Sequence, residues 1–162
     1  MAESNAVRTL RDAIITITDG TTTYTVAKEA GDFTADMPGY TTVSVLDRNE
    51  LGANPILRRG AEQPMTFSFS IYLRDLPNAT NLTLPDLCME LSGTVAAGMT
   101  TTTTDSDVRT WTVTYTIDGT WNGEADKIST FPHSVLRCSI TEGDPSSVAV
   151  TGSSYAPWPT IS

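Results

Sequence analysis

Hydrophobic and polar residues alternate strictly along two stretches of this chain, residues 65–73 and 109–118. In the second stretch the polar positions from residue 110 to residue 116 are all threonine. In the first stretch the residues between the apolar positions are Thr66, Ser68, Ser70 and Tyr72. A period of two is typical of a strand with one buried and one polar face, so both stretches are predicted to be strands. Weaker alternation predicts further strands over residues 13–18, 22–27, 40–47, 134–141 and 147–151.

One segment has the period of a helix. Its apolar stripe, at the spacing of one helix face, consists of Leu84, Leu87, Cys88 and Leu91. Thr83 is expected to cap the helix, with Asp86 as its capping-box partner, and Gly93 to end it. A helix this short is not stable alone, so we expect the stripe to pack against a sheet.

One turn signal and one long loop complete the pattern. Asp19-Gly20 lies between the first two predicted strands and favours a hairpin turn. Residues 47–63 have the composition of a loop, and loops of this length in compact domains are usually functional or disordered. The charged residues of this loop that we single out are Arg48, Glu50, Arg58, Arg59 and Glu62. The elements predict one mainly β domain over residues 1–162: an antiparallel β-sandwich or barrel with one flanking α-helix and a long inter-strand loop.

Composition narrows the classes of function. The 162 residues carry a formal net charge of -9, which argues against a protein that binds nucleic acid by neutralising phosphates. No apolar run approaches the roughly 18 residues of a membrane span, and the first residues lack the pattern of a signal peptide. We therefore expect no membrane partner.

The sequence offers little for catalysis or metal binding. The chain has one histidine, His133, and no G-x-S-x-G motif, so a catalytic triad would have to include that residue. Two cysteines and one histidine are too few for a zinc site, and the acidic loops lack the spacing of an EF-hand. We expect no enzyme activity, cofactor or metal. Cys88 and Cys138 could form a disulfide, but we favour two reduced cysteines that act as small core residues.

Aromatic residues give no clear binding platform. Phe67, Phe69, Trp111 and Tyr115 occupy the apolar faces of predicted strands, which favours a place in the core. Sheets with polar faces have edges that must be paired or protected. The sequence therefore indicates an interaction protein, with the arginines of the long loop suited to pairing with carboxylates of a neighbour.

Several runs, taken in order, resemble one protein family. They are Gly31-Asp32-Phe33-Thr34, the segment 59–69 with its "RRGxxQPxxxSF" pattern, the segment 111–120, Phe131-Pro132, and the segment 141–145. Over residues 30–152 the chain resembles the tail tube (major tail) proteins of long-tailed bacteriophages. This resemblance implies a structural virion protein that forms hexameric rings, which stack into a hollow tube through which DNA passes. It also implies contact with the tape measure protein and with tail terminator and tip proteins, in a tail assembled in the host cytoplasm.

The resemblance assigns roles to particular residues. The strands at 40–47 and 65–73 would form a hairpin lining the lumen, with Thr66, Ser68, Ser70 and Tyr72 facing the channel. The opposite face of the second strand would pack on the helix stripe. Inter-ring contacts would come from Arg48, Glu50, Arg58, Arg59 and Glu62. Segments 1–12 and 153–162 lie outside the resemblance, and we expect them to be assembly arms.

Three alternatives remain open at this point. The chain could be another structural virion β domain, such as a head decoration or collar protein. It could be the tube protein of a contractile injection system. Less favoured is a carbohydrate-binding β-sandwich, because that function requires an exposed aromatic platform.

Overall fold

A computed structural model describes residues 13–18, 20, 23–26, 33–45, 56–74, 83–89, 109–117, 119, 125–155 and 160–161. The described elements are, in order, β1 Ala13–Thr18, β2 Thr23–Val26, β3 Thr34–Asp36, β4 Tyr40–Val45, β5 Ile56–Glu62, β6 Met65–Tyr72, α1 Leu84–Met89, β7 Trp111–Ile117, β8 Lys127–Thr141, β9 Ser147–Ser154 and β10 Thr160–Ile161. All pairs of strands are antiparallel, which confirms the mainly β, antiparallel prediction.

Eight strands form one sheet and two form a separate ribbon. The large sheet has the order β2-β1-β7-β8-β9-β6-β3, with β10 paired to β8, and the ribbon is β4-β5. The large sheet curls around one core, because Phe33, next to the end strand β3, stacks on Tyr115 of β7 with ring centroids 4.2 Å apart. Phe67 and Phe131 pack beside this pair, 5.3 Å from each other. The aromatic residues expected in the core, Phe67, Phe69, Trp111 and Tyr115, are all buried.

Strand β8 is longer than its sequence pattern indicates. Periodicity predicts a strand from Ser134, whereas β8 begins at Lys127. The pairing with β7 shifts by one residue, because Trp111 lies opposite Ser134 but Val113 lies opposite Phe131. The extra residue forms a bulge at which His133 has a φ of 52°. This bulge interrupts the alternation, so the first half of the strand escapes a search for period two.

Two expectations about the long loop are wrong. Residues 56–62 of the predicted loop 47–63 form strand β5, and β5 pairs with β4. The expected hairpin of strands 40–47 and 65–73 does not exist, since β6 pairs with β3 and β9 instead. Strand β5 lacks alternation because both of its faces are exposed, so no buried face imposes a period of two. Arg48 and Glu50 lie outside the described residues.

The helix begins where its capping signals place it. The backbone N–H and the hydroxyl of Thr83 both donate to Oδ2 of Asp86, at 2.9 and 2.7 Å, and the Asp86 N–H reaches the Thr83 hydroxyl at 3.4 Å. These bonds satisfy donors that a helix start leaves without intrahelical partners. Leu91 and Gly93 lie outside the described residues. No described helix is long and apolar enough to cross a membrane.

Candidate assembly surfaces

The β4–β5 ribbon, here called the arm, is exposed on both faces. Every residue of β4 is exposed, and so are the described side chains of β5 apart from Gly60. The arm presents apolar groups to solvent, since Leu57 is 66% exposed and Val43 is 47% exposed. A two-stranded ribbon without a packed face is at best marginally stable in water. The arm is therefore suited to a surface that another molecule supplies.

Local contacts nevertheless give the arm a defined shape at its base. Gln63 donates its backbone N–H to the carbonyl of Gly39 at 2.9 Å, and Gly39 has a φ of 71° that favours glycine. The Arg59 guanidinium lies 4.2 Å from the centroid of the Tyr40 ring, a cation–π contact across the two strands. Gly60 packs closely against the opposite strand, because a β-carbon there would overlap the side-chain hydroxyl of Thr41.

Three of the five predicted inter-ring residues lie on the arm. Arg58, Arg59 and Glu62 lie on β5 and are exposed. Arg58 and Arg59 are adjacent in a strand, so they project from opposite faces of the ribbon. Arg58 lies opposite Val43 in the register, while Arg59 lies opposite Thr42. Within the described part of the chain, no carboxylate forms an ion pair with Arg58.

The predicted channel-facing residues lie on one polar face of β6. Thr66 and Tyr72 are exposed and Ser68 and Ser70 are half-buried, while the residues between them are buried. The Thr34 hydroxyl of β3 lies 2.7 Å from the Ser68 hydroxyl. Across the sheet the face continues with residues that pair in register with β6 or with its neighbour β9: Asp36, Ser147, Ala149, Thr151, Ser153 and Arg137. An open groove of about 310 Å³ lies over β3, β6 and β9 on this face.

A second hydroxyl face covers the other half of the sheet. Thr25, Thr16, Thr114 and Thr130 lie opposite one another in register on β2, β1, β7 and β8. A parallel row is formed by Thr23, Thr18 and Thr112. No strand position on this face holds a charged residue among those described. Alternation with threonine was visible in the sequence, but the rows depend on strand register, which periodicity does not specify.

The helix stripe packs on β8 and not principally on β6. Leu84 and Leu87 are buried in the core, and Cys88 packs against it. Burial raises the pKa of Cys88 strongly, and the neighbouring Cys138 on β8, to which the Cys88 thiol donates a hydrogen bond, raises it further. Both cysteines are free, as favoured above.

The single histidine lies in a structural bulge. Around it, the Ser134 hydroxyl donates to the Phe131 carbonyl at 2.9 Å, and the Ser154 hydroxyl donates to the Pro132 carbonyl at 2.5 Å. The Tyr155 N–H donates to the His133 carbonyl at 3.2 Å. Ser134 is thus committed to a backbone carbonyl and is not oriented as a nucleophile. No group of three metal-ligating side chains occurs among the described residues.

The large sheet ends in two open edges. The outer edges of β2 and β3 have no strand beside them within the described residues. All three residues of β3 are exposed. Open edges present unpaired backbone donors and acceptors that a strand of another molecule can satisfy.

Comparisons with known proteins find likeness in fold. No family model and no curated protein matches the sequence. The fold is similar to that of a chain in the sheath/tube terminator of an extracellular contractile injection system (PVC, extended state), with a TM-score of 0.63 and 12% identity over 99% of both chains. A chain of the PVC sheath–tube complex in the extended state gives 0.62 and 10%, covering 98% of this chain and 93% of the other. A chain of the anti-feeding prophage tube-terminating cap gives 0.56 and 12%, covering 100% and 94%.

Proposed function

We propose that this chain is a structural subunit of a tail-like tube, built into rings through its open strand edges and joined between rings by the arm. The observation that carries the proposal is the arm, a ribbon exposed on both faces with apolar groups that nothing in the described chain covers. The fold likeness over essentially the whole chain supports the same class of protein, because those neighbours are chains of tube, sheath and terminator assemblies. The role is structural and not enzymatic.

The finer details of the proposal follow the phage resemblance. The rings are hexameric and stack into a hollow tube in a virion tail or an injection particle, assembled in the host cytoplasm. The polar face of β6 lines the channel, where its neutral hydroxyls leave few cations to hold passing DNA. Partners are further copies of this chain, the tape measure protein and the terminator and tip proteins.

A tube terminator is the second candidate function. Two of the three structural neighbours come from terminator or cap structures. A tube subunit polymerises by itself into long tubes, whereas a terminator forms single rings that bind tube ends and stop growth. Negative-stain microscopy of the purified protein distinguishes these two outcomes.

Shortening the arm tests the proposal directly. In the variant, residues 41–61 are replaced by a short Gly-Ser linker, and we expect folded protein or single rings without long tubes. Circular dichroism and urea unfolding check that the large sheet is intact. Normal tubes from the shortened protein would refute the role of the arm.

The channel assignment has its own test. Ser68→Lys with Ser70→Lys should leave assembly intact and slow the passage of DNA, because fixed cations would bind phosphates. The matched control places lysines at Thr112 and Thr114 on the second hydroxyl face. If DNA passage slows only in the control, the second hydroxyl face lines the channel and the assignment of the β6 face is wrong.

A further inference from the structure

The arm has one face whose chemistry is not satisfied within the described chain. On this face Arg58 lies opposite Val43, and Val45 follows two residues along the strand. All three side chains are exposed. Arg59, on the other face, already has the Tyr40 ring as its partner. The face with Arg58 is therefore complementary to a partner surface that has a carboxylate next to an apolar group.

The exposed carboxylates of the described residues can be compared one by one. Glu62 lies on the arm itself and Asp36 lies on β3, directly before the arm in the chain. We therefore do not take either of them as the surface that receives the arm. Asp126 already accepts the backbone N–H of Gly119 at 3.0 Å. Glu142 and Asp144 remain, both exposed on the turn between β8 and β9.

This turn, residues 142–146, is well ordered by its own hydrogen bonds and is called the acidic turn below. The Gly143 N–H donates to the Ser146 hydroxyl at 3.3 Å, and that hydroxyl donates to the Gly143 carbonyl at 3.2 Å. Leu73 holds the turn against β6 by donating its N–H to the Ser146 carbonyl at 2.8 Å. Because the backbone of the turn is already fixed, binding does not have to order it, which favours docking.

An apolar group accompanies the acidic turn. Ile140 is 48% exposed near the end of β8 and lies two residues before Glu142, the first residue after the strand. Ile140 with Glu142 thus matches the combination of Val43, Val45 and Arg58 in both charge and polarity. Arginine is suited to this contact, because its planar guanidinium can form two hydrogen bonds to one carboxylate.

We propose that the arm of one copy docks on the acidic turn of a second copy, with Arg58 pairing with Glu142 while Val43 and Val45 pack on Ile140. This contact rests on the proposed function, since it names the surface that receives the arm. Arm and turn are different surfaces, and in a heterologous arrangement the arm of each copy binds the turn of the next, so that the contact propagates from copy to copy. Such propagation is what a stack of rings requires.

Charge reversal on each side provides the decisive experiment. Arg58→Glu and Glu142→Arg, each alone, should raise the critical concentration for polymerisation about tenfold, measured by sedimentation and microscopy. Mixed in equal amounts, the two variants should polymerise near the wild-type concentration, because each arm then meets a turn of opposite charge. Lys127→Glu, an equal reversal of charge at an exposed residue outside the arm and outside both hydroxyl faces, is the matched control and should assemble normally.

Ionic strength gives an independent readout. Raising the salt from about 0.01 M to about 1 M shortens the screening length from about 30 Å to about 3 Å, so an exposed ion pair should weaken. The wild type should then need more protein to polymerise, whereas Arg58→Glu should need less, because salt screens the repulsion between the introduced carboxylate and Glu142. Unfolding curves of both variants exclude a folding defect, since the substituted side chains are exposed.

The outcomes separate the two claims. If the wild type forms tubes and the single variants do so equally well, or if the mixture stays inactive, the arm docks elsewhere and this contact is refuted while the tube proposal stands. A wild-type protein that remains monomeric at every concentration refutes both. Docking of the arm on a different partner chain would show as wild-type rings that ignore both substitutions.

Discussion

Gly152 on β9 should be intolerant of the smallest substitution. It lies opposite Phe67 of β6, and a β-carbon at Gly152 would overlap Cζ, Cε1 and Cε2 of the Phe67 ring. The ring has little space to move away, because Phe33 and Phe131 lie at centroid distances of 6.1 and 5.3 Å. Gly152→Ala should therefore destabilise the fold.

The magnitude follows from two opposing effects. Overpacking a core by one methyl group costs about 1–3 kcal/mol, and we take about 3 kcal/mol because the Phe67 ring is enclosed. Replacing glycine by alanine within a strand returns about 0.5–1 kcal/mol of conformational entropy. The net loss is about 2 kcal/mol, which for a domain of this size lowers the Tm by roughly 4–8 °C.

A double-mutant cycle tests the cause of the loss. Gly152→Ala is measured by thermal and urea unfolding in the wild type and in Phe67→Leu, whose smaller side chain leaves room for the methyl group. We expect a coupling of at least about 1 kcal/mol between the two sites. Ala149→Gly, on the exposed face of the same strand, calibrates the backbone effect alone. An unchanged Tm, or an equal loss in both backgrounds, would refute the packing argument.

Three further predictions concern buried polar groups. Asp86→Ala removes the acceptor of both Thr83 bonds and should lower the free energy of unfolding by about 1–3 kcal/mol, whereas Asp86→Asn should lose less; equal losses in urea titrations would contradict the capping role. Burial raises the pKa of Tyr115, so the unfolded state ionises first and stability should fall as the pH rises above about 10. Tyr115→Phe should reduce that loss and leave stability at pH 7 nearly unchanged, because the Tyr115 hydroxyl has no hydrogen-bond partner among the described residues. The thiol of Cys88 should react slowly with an aromatic disulfide reagent at pH 7 and rapidly in urea, because burial raises its pKa; fast reaction of this thiol in the native protein would contradict that effect of burial.

The elements that could be predicted from sequence are those whose two faces meet different surroundings. β6 and β7 have one buried and one polar face, so their alternation is strict. The start of α1 depends on Thr83 and Asp86, which are close in sequence and therefore visible without a structure. β5 has no buried face and the start of β8 is separated by a bulge, so neither shows a regular period.

The periodicity of the sequence could not predict which strands pair with each other. β1 pairs with β7, about a hundred residues later, and nothing in either pattern specifies that partner. The same limit applies to the candidate surfaces. The adjacent Arg58 and Arg59 were visible as charges in a loop, but their opposite orientations depend on β5 being a strand paired with β4.

On the second hydroxyl face, the threonine rows alone do not determine the register of the strands. If β1 slipped by two residues along β7, Thr16 would face Thr112 or Thr116 in place of Thr114, and the outer surface would be almost unchanged. The information that selects one register must therefore come from the inner face, where Ile15 lies opposite Tyr115 and Ile17 opposite Val113. Large and small side chains cannot be exchanged there without displacing Tyr115 from Phe33. The strands with a repetitive outer face therefore pair in a single register only because their inner face is not repetitive.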